Sequence, residues 1–100
     1  MDPITSFGWD KVNVTTDTIV NPGACIMHSI VLNGVTTVGD IFVYDGVDAT
    51  GELVATLNIR SAVSVSFQGI TFIYDCEMVN GIFIDITSST FAGNITVTHK

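Results

Sequence analysis

Positive charge is what this sequence has least of. Lys11, Arg60 and Lys100 are its only basic residues, set against ten acidic ones, for a net charge of −7. A protein that grips nucleic acid neutralises phosphates with a basic footprint, and there is none here. The same deficit removes any attraction to anionic membrane surfaces. Long apolar runs are missing too, and none approaches the roughly 20 residues that a membrane helix needs. The opening MDPITSFGWDK lacks the basic stretch and apolar run of a secretory signal, so synthesis in a cytoplasm is the expectation. Ala, Leu, Lys, Glu and Arg, the residues that fill helices, are scarce. Cysteine is limited to Cys25 and Cys76. With His28 and His99 far apart, these four do not form a zinc pattern. In a reducing compartment both thiols are expected free and buried, though the spacing leaves a disulfide open.

What remains is apolar and β-branched. Hydrophobic residues make up 47% of the chain and charged residues 13%. That is too apolar for disorder. It is also low in charge for a free monomer, which points to a surface partly covered by partner subunits. At 100 residues the chain is one domain that can hold its own core. Val, Ile and Thr favour strands. Turn signals recur every eight to twelve residues: NPG at 21–23, NG at 33–34, DG at 45–46, TG at 50–51, QG at 68–69, NG at 80–81 and AGN at 92–94.

Between these turns the apolar residues alternate. Leu53, Ala55, Leu57 and Ile59 share one face, with Val54, Thr56 and Asn58 opposite. Val63, Val65 and Phe67 alternate with Ser64 and Ser66. Ile82, Ile84 and Ile86 alternate with Phe83, Asp85 and Thr87, and Ile95 and Val97 with Thr96 and Thr98. Such patterns describe antiparallel sheets that cover a core on one side. ACIMHSIVL (24–32) and IFVY (41–44) are apolar on both faces, which predicts central strands or a covered outer face. About eight strands are expected: 11–15, 17–20, 24–32, 40–45, 52–59, 62–67, 70–74 with 82–87, and 94–99. The fold class is all-β, a single antiparallel β-sandwich. Residues 1–11 are expected as an N-terminal arm or edge segment and 12–100 as the sandwich domain.

The most chemical-looking stretch is VYDGVDATGE (43–52). Asp45, Asp48, Thr50 and Glu52 offer oxygens to a cation such as calcium. The calcium-hand loop needs acidic or amide residues at positions 1, 3 and 5 and Glu at 12, whereas the acids here fall at 1, 4 and 8. The plainer reading is a hairpin connection, with Asp and Gly supplying turn geometry. Nucleophilic catalysis requires a histidine near a hydroxyl or thiol. His28, mid-strand in an apolar run, reads as a core or interface histidine, and His99 as part of a frayed terminus. Asp75, Glu77 and Asp85 read as solvated loop acids rather than a carboxylate pair for glycoside hydrolysis. No catalytic residue, metal ligand or cofactor site is assigned, and the chain is expected not to be an enzyme.

Four aromatic residues are candidates for partner contact: Phe7, Trp9, Tyr44 and Tyr74. Phe7 and Trp9 suit anchors of an arm docked on a neighbour. The segment reads equally as a first edge strand packed on its own domain, with Trp9 as a lid over the open end of the sandwich. Tyr44 and Tyr74, in FVYD and FIYD, read as strand-end residues before turns. Exposed together, Trp9, Tyr44 and Tyr74 would instead form a sugar-stacking surface.

The order of NPGACIMHSIVLNG, a strand ending in VYDG, ATGELVATL, NGIFIDIT and NITVTHK resembles small virion proteins of tailed bacteriophages and related viruses. The resemblance runs from about Asn21 to the end and rests on structural, not catalytic, motifs. Met27 stands where leucine is commoner. The resemblance implies a jelly-roll-like capsid decoration, or cement, protein. Such a protein would sit in the virion, bind the major capsid protein and self-associate, often as a trimer. A neck, tail or fibre component, or a surface glycan-binding module, are the alternatives.

Overall fold

The computed structural model describes residues 9–60 and 70–100. All regular structure in them is strand. The strands are β1 (Asp10–Val14), β2 (Thr18–Asn21), β3 (Cys25–Thr37), β4 (Gly39–Asp45), β5 (Glu52–Ile59), β6 (Ile70–Met78), β7 (Ile82–Asp85) and β8 (Ala92–His99). They form two antiparallel sheets of four, ordered β1-β8-β3-β6 and β2-β7-β4-β5. The central strands are β8 and β3 in one sheet and β7 and β4 in the other. The two segments apolar on both faces thus lie inside sheets, as their pattern requires.

The pairing is symmetric about the β4–β5 hairpin. β4 pairs with β5, β3 with β6, β2 with β7 and β1 with β8. Two further pairings, β3 with β8 and β4 with β7, complete the sheets.

Alternation places one residue in two towards a single core shared by both sheets, in a sandwich-like arrangement. Ile30, Ile95 and Val97 from one sheet and Ile41, Val43, Ile82 and Ile84 from the other are fully buried in it. Full burial of a side chain of this size stabilises the fold by roughly 1.5–3 kcal/mol. The alternation of Ile82, Ile84 and Ile86 and of Ile95 and Val97 holds as read from the sequence.

Three sequence expectations need correction. NG at 33–34 and AGN at 92–94 are not turns. Both lie inside strands where β3 and β8 slip register, with Gly34 opposite Asn94 and Val35 opposite Gly93. Gly93 has φ 157°, and a Cβ there would stand 2.2 Å from the Gly34 carbonyl oxygen. Glycine marks a close backbone approach in this place, not a chain reversal, and β3 therefore runs on to Thr37. The pattern leaves open whether 70–74 and 82–87 share a sheet; they lie in different ones, because β6 continues to Met78 before the chain crosses over. Leu53 does not share a face with Leu57 and Ile59. Val43 opposes Ala55 but Tyr44 opposes Leu53, so a bulge at Val54 turns Leu53 outward, half exposed. His99 is not frayed: it is buried and meets Asn21 Nδ2 through Nδ1 at 3.3 Å. The backbone of Lys100 just beyond it bonds Ile26 in both directions, at 2.9 and 3.0 Å. The expected strand at 62–67 lies outside the described residues.

Candidate functional site

Two of the three acids of VYDGVDATGE are bonded into turns. Asp45 is buried, and its carboxylate accepts the backbone N–H of Val79 at 3.0 Å and of Asn80 at 2.7 Å. These bonds hold its pKa below the ordinary carboxylate value. Asp48 accepts the Thr50 N–H at 2.9 Å and the Thr50 hydroxyl, which lower its pKa likewise. Gly46 donates its N–H to the Gly81 carbonyl at 3.2 Å. A Cβ on Gly51 would stand 2.6 Å from the Asp45 carbonyl oxygen. One on Gly81, at φ 137°, would stand 2.4 Å from that of Asn21 and 2.8 Å from that of Gly46. The β2–β3, β4–β5 and β6–β7 turns therefore meet backbone to backbone at one end of the molecule.

At the other end Asp17 plays the part of Asp45. Partial burial raises its pKa, but bonds from the Thr87 N–H (2.9 Å), the Ile86 N–H (2.7 Å) and the Thr87 hydroxyl (2.8 Å) outweigh it, and the net shift is down. Asp85 accepts from the Ser88 hydroxyl at 2.9 Å, and Asp40 accepts from Arg60 at 2.9 Å. Much of the acidity that dominates the composition is thus turn and rim architecture. Among the described residues no group of three or more His, Cys, Asp and Glu is placed to hold a metal ion.

Cys25 is buried, Cys76 is half-buried, and neither forms a disulfide. Burial, followed by the nearby Asp45 carboxylate, pushes both thiols up in pKa, so the nucleophilic thiolate is disfavoured.

The outer face of β1-β8-β3-β6 carries a hydroxyl and amide ladder. Asn33 Nδ2 donates to Thr96 Oγ1 at 2.8 Å, Asn13 Nδ2 donates to Asn94 Oδ1 at 3.3 Å, and the Ser29 and Thr98 hydroxyls meet at 2.6 Å. Towards β6 this face turns apolar, at Ile26 and Ile73.

On the same face three residues form a line that sequence reading misses. β3 bulges at His28: Met27 opposes His99 and Ser29 opposes Thr98, which leaves His28 without an opposite residue on β8. Opposite it on β6, Asp75 adopts φ 46°, a left-handed conformation uncommon outside glycine. The bulge aims the imidazole outward, where its Nδ1 bonds the Asp75 carboxylate. Trp9 stacks on the imidazole with ring centroids 4.2 Å apart and planes 4° from parallel. His28 is therefore a surface histidine held by two partners, not a core one. A carboxylate-oriented imidazole is two thirds of a nucleophilic relay. No hydroxyl or thiol bonds its other nitrogen among the described residues.

The outer face of β2-β7-β4-β5 is of another kind. Ile19 opposes Phe83, Phe83 opposes Tyr44 and Tyr44 opposes Leu53, so four apolar or aromatic side chains cross all four strands in one row. Ile19 and Leu53 are each 50% exposed, and the Tyr44 and Phe83 rings lie 6.3 Å apart at 42°. Phe42 lies beside the row on the same face.

The contact candidates do not converge. Tyr44 stands in this row, whereas Trp9 lies on the outer face of the other sheet. Tyr74 is not at a strand end: it sits within β6, packs against the core, and has its pKa raised by that burial. Phe7 lies outside the described residues. Ile19, Phe83 and Leu53 were readable only as members of separate strands. Nothing local says that register will align them, and for Leu53 the alternation argued the opposite. The double-sided apolarity of IFVY was the one available signal. No protein family, curated protein or solved structure matches the chain.

Proposed function

We propose that the chain is a non-enzymatic assembly subunit. It is a jelly-roll sandwich that self-associates, as a trimer, and decorates and stabilises a bacteriophage capsid by binding the major capsid protein. The topology supports the jelly-roll reading: every strand pairs with its mirror partner about the β4–β5 hairpin, as in one long hairpin rolled into two layers.

The observation that carries the assembly reading is the row Ile19–Phe83–Tyr44–Leu53. A contiguous apolar stripe with two aromatic rings and no charge of its own has the composition of the centre of a protein interface. Covering it stabilises whatever it joins, through binding linkage. The sequence resemblance supplies the partner class.

The test has two parts. Mass in solution of the wild-type chain, against Tyr44→Ser/Phe83→Ser, is expected to fall from oligomer to monomer. Capsids assembled with and without the protein are expected to differ in the temperature at which they release DNA. A monomeric wild type would remove the self-association reading. Unchanged capsid heat stability, with density for the protein at the tail, would remove the decoration reading in favour of a neck, tail or fibre role.

A further inference from the structure

Trp9, His28 and Asp75 come from three strands or their ends, and together they span the full width of one sheet. Trp9 immediately precedes β1, one edge strand. Asp75 belongs to β6, the opposite edge strand, and His28 to β3, with β8 lying between β3 and β1. To stack on His28, Trp9 reaches over the end of β8. β1 has only five residues and pairs with β8 alone. A strand so short and so placed is easily peeled, and the Trp9 stack ties its leading end to the sheet.

We propose that this line of three residues is a proton-dependent clasp on β1. With His28 protonated, the imidazolium lies between an anion and an indole face, and both attract it. With His28 neutral, the ion pair and the cation–π attraction vanish, and a neutral hydrogen bond and ring packing remain. The clasp is tightest with the imidazole protonated and slackens when that proton is lost. This goes beyond the assembly reading and does not depend on it.

Other charges nearby are few. Glu77, also on β6, lies opposite Ile26, Lys11 lies opposite Thr98, and the Lys100 backbone pairs with Ile26. His99 and Asp10 are paired with each other in register, and the buried His99 ring is engaged with Asn21 on the other side of the sheet. The clasp also explains why a non-glycine residue holds a left-handed backbone at 75: there the carboxylate meets the bulged imidazole.

Trp9 is the only tryptophan, so its fluorescence reports the clasp directly. A stacked imidazolium quenches indole. Wild-type emission is expected to rise through one transition as pH is raised and the imidazole loses its proton. His28→Gln is expected to abolish that transition. At about pH 5.5 it should also speed amide exchange of residues 11–14 about two- to fivefold, the factor for losing an exposed cation–π contact. Asp75→Asn keeps a hydrogen-bonding side chain suited to the left-handed backbone and removes only the charge. It is expected to shrink the emission change between the two ends of the titration, because the ion pair that holds the imidazolium is gone, and this holds as a test even if His28→Gln folds poorly. Flat wild-type emission, a transition that survives in His28→Gln and so belongs to His99, or an Asp75→Asn titration superposing on wild type would each overturn the proposal.

Discussion

The two sheets bury similar residues inward and present unlike faces outward. The centre of β1-β8-β3-β6 shows threonine, asparagine and serine, bonded to one another. The centre of β2-β7-β4-β5 shows phenylalanine and tyrosine flanked by isoleucine and leucine. Hydroxyl and amide side chains that satisfy each other also accept water, so the centre of the first face is complete when wet, and its exposed apolar residues, Trp9, Ile26 and Ile73, lie away from that ladder. The second leaves apolar area in water at a cost of about 25 cal/mol per Å² until something covers it. The difference is why the proposed partner contact is placed on the second face.

The sharpest test of this contrast compares neighbours on one strand. Ile84 is fully buried, and Ile84→Ala is expected to cost about 2–5 kcal/mol in chemical denaturation. Phe83→Ser, one residue away on the outer face, should weaken self-association and, at protein concentrations low enough for both chains to be monomeric, leave the unfolding midpoint nearly unchanged. Equal losses of stability would mean that the row serves the monomer's fold, not a partner.

Acidification should come next, and should act on the ends, not the faces. Asp45, Asp48 and Asp17 have pKa values held below the ordinary carboxylate value in the folded state. Their contribution is full above that value and is lost as pH falls below about 4 through the folded-state values. Asp45→Ala should remove part of this acid sensitivity and lower the melting temperature at neutral pH, because the Val79 and Asn80 N–H groups lose their acceptor. Thermal melts at about pH 3 and about pH 7 would read both effects.

The smallest effect should come from the polar face. Thr96→Val removes the acceptor of Asn33 and is expected to cost about 0.5–1.5 kcal/mol in urea unfolding, without altering solution mass. If Thr96→Val abolished association while Phe83→Ser did not, the faces would have been assigned the wrong way round.

Inward-pointing residues were largely legible in the sequence, because burial on one side writes itself as alternation: Ile82, Ile84, Ile95 and Val97 need nothing else. Departures came wherever a strand bulges. A bulge is a relation between two strands, so Leu53, Gly34, Gly93 and His28 carry no local sign of it. The contact residues fared likewise. Tyr44 was singled out as an aromatic, but its neighbours Phe83, Ile19 and Leu53 are brought to it by register. His28 looked like core because the residues around it are apolar, and the Asp75 that draws it outward is 47 positions away.

The junction of Gly46, Gly51 and Gly81 also bears on engineering. Three turns in contact through bare backbone behave as a single unit, so a foreign peptide grafted into one displaces the other two. The exposed tip at Val47–Ala49 of the β4–β5 turn lies outside the close approaches of Gly46, Gly51 and Gly81. A displayed epitope belongs there, and replacing the whole β4–β5 connection would require the β2–β3 and β6–β7 connections to be redesigned with it.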